Sequence, residues 1–146
     1  MMSQREDAMV AGVRRAARLM GTALGLAALV AMAGLAAAQA PWTAPAGEKE
    51  KKNPLPADAK TIEQGRKVAQ VNCVTCHGAK GKGDGAAAVA LSPKPADWTS
   101  KTVQDDSDGE IFWKITTGRG AMPAWRHLPE NDRWALVRYI RTLAAK

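Results

Sequence analysis

The sequence is short of most residues that build reactive sites. Among 146 residues there are two cysteines, two histidines, one tyrosine and one phenylalanine. Two cysteines cannot form the disulfide framework that holds many small secreted domains together. Leu, Ile, Val and Phe are also scarce, numbering 15 among the 86 residues from Thr61 onward. That proportion is close to the range in which chains fail to fold. No strand-like alternation and no internal repeat is present. No Lys/Arg cluster with interleaved aromatics is present either, so nucleic acid is not expected as a partner. Tryptophan is the exception to this scarcity, with Trp42, Trp98, Trp113, Trp125 and Trp134. Each can bury a large area, and a large apolar group bound in the interior would supply what the aliphatic residues do not.

The formal net charge is +7. Arg14, Arg15 and Arg18 precede an uncharged stretch from Leu19 to Ala38, which ends in the small residues Ala36-Ala37-Ala38-Gln39-Ala40. A basic start, an apolar middle and an A-x-A ending read as a secretory signal peptide over residues 1–38. A cut after Ala40 would place Pro41 next to the scissile bond, so a cut after Ala38 is favoured. The alternative is an uncleaved anchor that tethers the protein to a membrane. The stretch is long enough for that, but its richness in Ala and Gly makes insertion weak. The expected location is periplasmic or otherwise exported. The leader carries Arg5, Arg14, Arg15 and Arg18 against Glu6 and Asp7, so the remainder keeps a net charge of +5. Such a charge favours acidic protein partners or anionic surfaces.

Residues 39–60 contain Pro41, Pro45, Pro54 and Pro56 around Glu48-Lys-Glu-Lys-Lys52. This composition predicts an extended or disordered linker, leaving residues 61–146 as the domain. A first helix is expected from Thr61, with Thr61 and Gln64 as a capping box and Gly65 as a point of close approach. Ser107 and Glu110 predict a second helix ending at Gly118. A last helix is expected from about Pro129 to Ala145, with Trp134, Val137 and Ile140 on one face. The segment Gly78–Gly85 holds four glycines in eight residues. It lacks the Lys-Ser/Thr ending and the preceding strand of a phosphate loop, and reads instead as a turn leading away from a fixed site.

The two cysteines lie in Cys73-Val-Thr-Cys76-His77, the C-x-x-C-H signature of covalent haem attachment. On a helix these three residues fall within an arc of about 100°. Two thiols can then meet the two vinyl groups of one porphyrin, with the imidazole beneath the iron. A redox disulfide would be expected beside a βαβ pattern, which is absent. A zinc site would need a fourth donor, and only His127 remains. A plain disulfide leaves His77 unexplained. Met122 is the one methionine after residue 38 and sits in Gly120-Ala-Met-Pro123. By elimination it is the expected second axial ligand, with His127 its rival and a gap-filling core role the plain alternative. His/Met ligation closes both axial positions and leaves outer-sphere electron transfer. A loose Met122 would instead suit a haem enzyme or a gas-binding sensor.

Several segments resemble class I (monohaem) cytochromes c of the periplasmic branch. They are Cys73–Gly78, Gly81-Lys-Gly-Asp-Gly85, Pro93-Lys-Pro-Ala-Asp97, Asp108-Gly-Glu-Ile-Phe112, Gly120-Ala-Met-Pro-Ala-Trp125 and Trp134–Leu143. The resemblance implies an all-α cytochrome c fold, with three to four main helices around one haem c per chain. It implies covalent attachment at Cys73 and Cys76, axial ligation by His77 and Met122, an electron carrier rather than an enzyme, and redox protein partners. It also implies that the first and last helices cross at Gly65, against Val137, Tyr139 or Ile140. Where the family often has a proline whose carbonyl orients the axial histidine, this chain has Ala86, and Pro93 is a second candidate. Lys80, Lys82, Lys94, Lys114, Arg119 and Arg126 read either as a docking rim for acidic partners or as ordinary solvated charge.

Overall fold

The computed structural model describes residues 41–144. The expected leader, with its cleavage or anchoring, lies outside the described residues but for its flank at Pro41. The described chain is helical: α1 (Ala46–Lys49), α2 (Ala59–Asn72), α3 (Val74–His77), a 3-10 turn (Ala86–Ala90), α4 (Lys101–Asp105), α5 (Asp108–Thr117) and α6 (Glu130–Arg141). Among the described residues there is no strand, only an isolated bridge between Arg119 and Met122. The all-α expectation holds. No helix among the described residues is long and apolar enough to cross a membrane.

The helix ends follow from local chemistry. α2 begins two residues before Thr61, because Asp58 is the cap: its carboxylate accepts from the Thr61 N–H at 2.8 Å. Gln64, released from capping, donates to Asp132 on α6 at 2.6 Å. At α5 the expected serine cap is present, with Ser107 Oγ accepting from the Glu110 N–H at 3.1 Å. Gly118, at φ 63°, ends that helix as expected. α6 begins after Pro129 and ends at Arg141, short of Ala145.

α2 and α6 cross with their backbones in contact. A methyl group at Gly65 would meet the carbonyl of Ala135 and, at 2.9 Å, the nitrogen of Leu136. The crossing lies at Gly65 as expected, but against Ala135 and Leu136 of α6 instead of Val137, Tyr139 or Ile140. The core beneath it joins Ala69, Cys73, Trp98, Ile111, Phe112, Ile115, Trp134, Leu136, Val137 and Ile140. Phe112 and Trp134 stack at 3.9 Å, and the guanidinium of Arg133 lies 4.8 Å above the Phe112 ring. Aromatic area thus replaces part of the missing aliphatic area.

The stretch expected as an extended or disordered linker is ordered from residue 43 to 58. Glu110, buried on α5, accepts from the Ala44 N–H at 3.2 Å and pairs with Lys49 at 3.4 Å. Ser107 Oγ donates to the Lys49 carbonyl at 2.7 Å. Asn53 donates to the Trp134 carbonyl at 2.9 Å, and Arg138 donates to the carbonyls of Leu55 and Asn53. Composition predicted solvation for this segment. Three distant side chains, Glu110, Ser107 and Arg138, instead bond its backbone and make it a strap across α5 and α6.

Candidate haem-attachment site

The site is built where α2 gives way to α3. Cys73 leaves helical geometry at φ −120°, ending one helix and starting the next. α3 then carries Cys76 and His77 one turn further on. Both cysteines are free thiols, Cys73 buried and Cys76 half-buried. Burial, reinforced by the neighbouring Cys76, pushes the Cys73 thiol up to about 12. Thiol–disulfide exchange needs a thiolate, so this is a poor redox-disulfide nucleophile. Among the described residues, no group of three His, Cys, Asp or Glu side chains is placed to hold a bare metal ion, which disfavours the zinc reading.

His77 is buried and held on two sides. Its Nδ1 lies 3.0 Å from the Ala96 carbonyl, to which it donates when protonated there. Its ring stacks on the indole of Trp98, with centroids 4.5 Å apart and planes inclined by 22°. Burial holds the imidazole below its ordinary value, opposed in part by the Ala96 carbonyl. A neutral ring with its proton on Nδ1 keeps a lone pair on Nε2, the arrangement expected of a metal-ligating histidine. The carbonyl that meets His77 is therefore that of Ala96, and neither Ala86 nor Pro93 fills the role. The residue type at that position carries no signal, since every residue has a carbonyl. Trp98 was also missed as a neighbour of His77, although it directly follows the recognisable Pro93-Lys-Pro-Ala-Asp97 stretch.

The glycine-rich turn closes the end of α3. The N–H groups of Gly83 and Gly85 donate to the carbonyls of His77 and Cys76 at 2.8 and 3.1 Å, satisfying groups that the short helix leaves open. Gly83 has φ 71° and runs against the Pro95 carbonyl, so no side chain fits there. The Gly81 carbonyl accepts from the Trp98 N–H at 2.7 Å. The turn thereby fixes the segment that contacts His77.

Met122 lies in the loop after α5. Its N–H and carbonyl pair with the carbonyl and N–H of Arg119 at 3.0 and 2.9 Å, and the Trp125 N–H donates to the Ile115 carbonyl at 3.1 Å. Its side chain packs against the same apolar cluster that contains Cys73 and Trp98. His127 is exposed, in tilted contact with Trp125 at 5.4 Å, as expected of a surface histidine. Of the basic residues considered for docking, Lys114 is withdrawn into pairs with Asp106 at 2.7 Å and Glu110 at 3.3 Å. Lys80, Lys82, Lys94 and Arg126 are exposed. Val89, in the 3-10 turn, is 83% exposed, and Lys94 donates to its carbonyl at 3.2 Å.

A helical domain that presents two cysteines and a backbone-anchored imidazole in C-x-x-C-H spacing is that of a c-type cytochrome. Residues 60–140 match the family model described as cytochrome c oxidase, cbb3-type, subunit III, and the chain belongs to this family. Membership implies covalently bound haem c and a role in electron transfer. Among solved structures, the chain is similar to one from the reducing HAO-like protein complex of Kuenenia stuttgartiensis, with 31% identity and a TM-score of 0.57. That match covers 63% of this chain and 47% of the other. No curated protein matches.

Proposed function

We propose that this chain is an exported one-electron carrier holding a single haem c. Cys73 and Cys76 would each add their S–H across a vinyl group, forming two thioether bonds with no leaving group. His77 Nε2 and Met122 Sδ would be the axial ligands. The observation that carries this reading is the joint placement of Cys73, Cys76 and His77 where α2 gives way to α3, with His77 Nδ1 already against the Ala96 carbonyl. When bound, haem c supplies an Fe(III)/Fe(II) couple. The chain's own part is to hold the imidazole by edge and face and to present the Met122 loop through its two Arg119 hydrogen bonds. With His77 and Met122 as axial ligands the iron would have no open position, so we read the protein as a carrier and not as an enzyme.

The leader sequence supports periplasmic work, or work at a membrane if the leader is retained. The partner would be another redox protein with an acidic surface. The exposed Lys80, Lys82 and Lys94 and the net charge of +5 expected without the leader support that reading. The similar solved structure is part of a protein complex, so both a diffusing shuttle and a subunit of a respiratory or dehydrogenase assembly fit.

The test is spectroscopy of the purified protein and of Met122→Ala. Loss of the thioether–iron charge-transfer band in the variant is expected. An unchanged band and potential defeat Met122 as ligand. Rapid carbon monoxide or cyanide binding by the wild type at neutral pH would turn the reading toward a gas sensor or a haem enzyme.

A further inference from the structure

We propose that Trp98 is a positioning residue that fixes the plane of the His77 imidazole and, through it, the electronic state of the iron; this rests on the reading of His77 as an axial ligand.

A hydrogen bond at Nδ1 fixes where one edge of an imidazole points, but leaves the ring free to turn about that bond. A second contact on the face removes this freedom. Trp98 supplies it, with its centroid 4.5 Å from that of His77 and its plane inclined by 22°. The two contacts come from residues 96 and 98 of one short segment, so edge and face are held by the same rigid piece.

That piece is tied down on every side. The Trp98 N–H donates to the Gly81 carbonyl at 2.7 Å. The Trp98 carbonyl accepts from Gln104 Nε2 at 2.6 Å, and the same amide reaches the Ile140 carbonyl of α6 at 3.1 Å. Asp97 accepts from the N–H and hydroxyl of Thr99 at 2.8 and 2.7 Å. Gly83 packs on the Pro95 carbonyl. The indole is only 6% exposed, so it has no room to swing away. Partners beyond the ligating atoms commonly set ring orientation and ligand basicity at metal sites, and offset stacking is the favoured contact between such rings.

The test uses the haem-loaded protein. In the oxidised form, the order of the hyperfine-shifted haem methyl resonances reports the orientation of the axial ligand planes. Trp98→Phe, which keeps an aromatic face, should retain the wild-type order. Trp98→Leu should change that order or broaden the resonances through exchange between ring orientations, and shift the reduction potential. In the reduced wild type, nuclear Overhauser contacts between the Trp98 indole and the His77 ring are expected. Their absence overturns the proposal even if Trp98→Leu fails to load haem. An unchanged methyl order and potential in Trp98→Leu, with lowered stability alone, would reduce Trp98 to a core residue. Wild-type protein without haem would overturn the functional reading and this inference together; haem-bearing wild type with an unmoved pattern in Trp98→Leu overturns this inference alone.

Discussion

Glu110 shows how much one buried carboxylate can organise. Burial pushes its titration up, but the Ala44 N–H and the ammonium groups of Lys114 and Lys49 outweigh this and hold it below the ordinary glutamate value. A value lowered by folding gives stability that is complete above the unfolded-state value of about 4.3 and is lost as pH falls through the folded-state value. The urea midpoint should therefore drop in the acid range below about pH 4.3, and Glu110→Gln should flatten that limb. A variant as acid-sensitive as the wild type would contradict this role. Gly65 is a second decisive residue. Gly65→Ala gains helix propensity of up to about 1 kcal/mol, yet drives a methyl group into the Ala135 carbonyl. Overpacking of this kind costs about 1–3 kcal/mol, so the denaturation midpoint should fall; a rise would place the two helices further apart than described here. At this scale the sequence was readable wherever chemistry depends on residue type. Cys73, Cys76, His77 and Met122 stand out because few other side chains in the chain carry sulfur or imidazole, which is why the proposed ligand set rests on them. The Ala96 carbonyl and the Trp98 face did not stand out, since their meeting with His77 depends on how a loop of some twenty residues closes.

Elements were legible in proportion to their length and periodicity. α2, α5 and α6 carry apolar faces and caps, and the sequence located them to within a few residues. The short pieces, α1, α3, the 3-10 turn and α4, are too brief for periodicity to register and depend on tertiary partners. The same limit misread the strap. Its composition is that of a solvated linker, and what orders it is a set of side chains on α5 and α6 more than fifty residues away. Arg138 is the strongest of these ties, with Nε and Nη2 donating to the Leu55 carbonyl at 2.9 and 2.6 Å. Removing a charged donor of this kind costs about 1.5–3 kcal/mol. In Arg138→Ala the Ala44 and Leu55 amides should exchange faster with solvent deuterium, and trypsin should cut sooner after Lys51 and Lys52. Exchange at wild-type rates would mean that the strap holds without Arg138.

For the molecule as a whole, the thin aliphatic core and the attachment site belong to one explanation. A domain this small buries a modest apolar area, and its aromatic residues carry much of that load. A haem held among them would add a large apolar surface in the interior. Replacing both cysteines, Cys73→Ser with Cys76→Ser, should abolish covalent attachment and lower the denaturant midpoint well beyond what one buried and one half-buried hydroxyl explain. Equal stability with and without the staples would show that the fold does not lean on the group. All of this depends on a porphyrin bonded to Cys73 and Cys76, and the most direct measurement is the intact mass of the purified protein. The account predicts the mass of the polypeptide plus one haem, retained after denaturation. A colourless product with the mass of the bare polypeptide would contradict it.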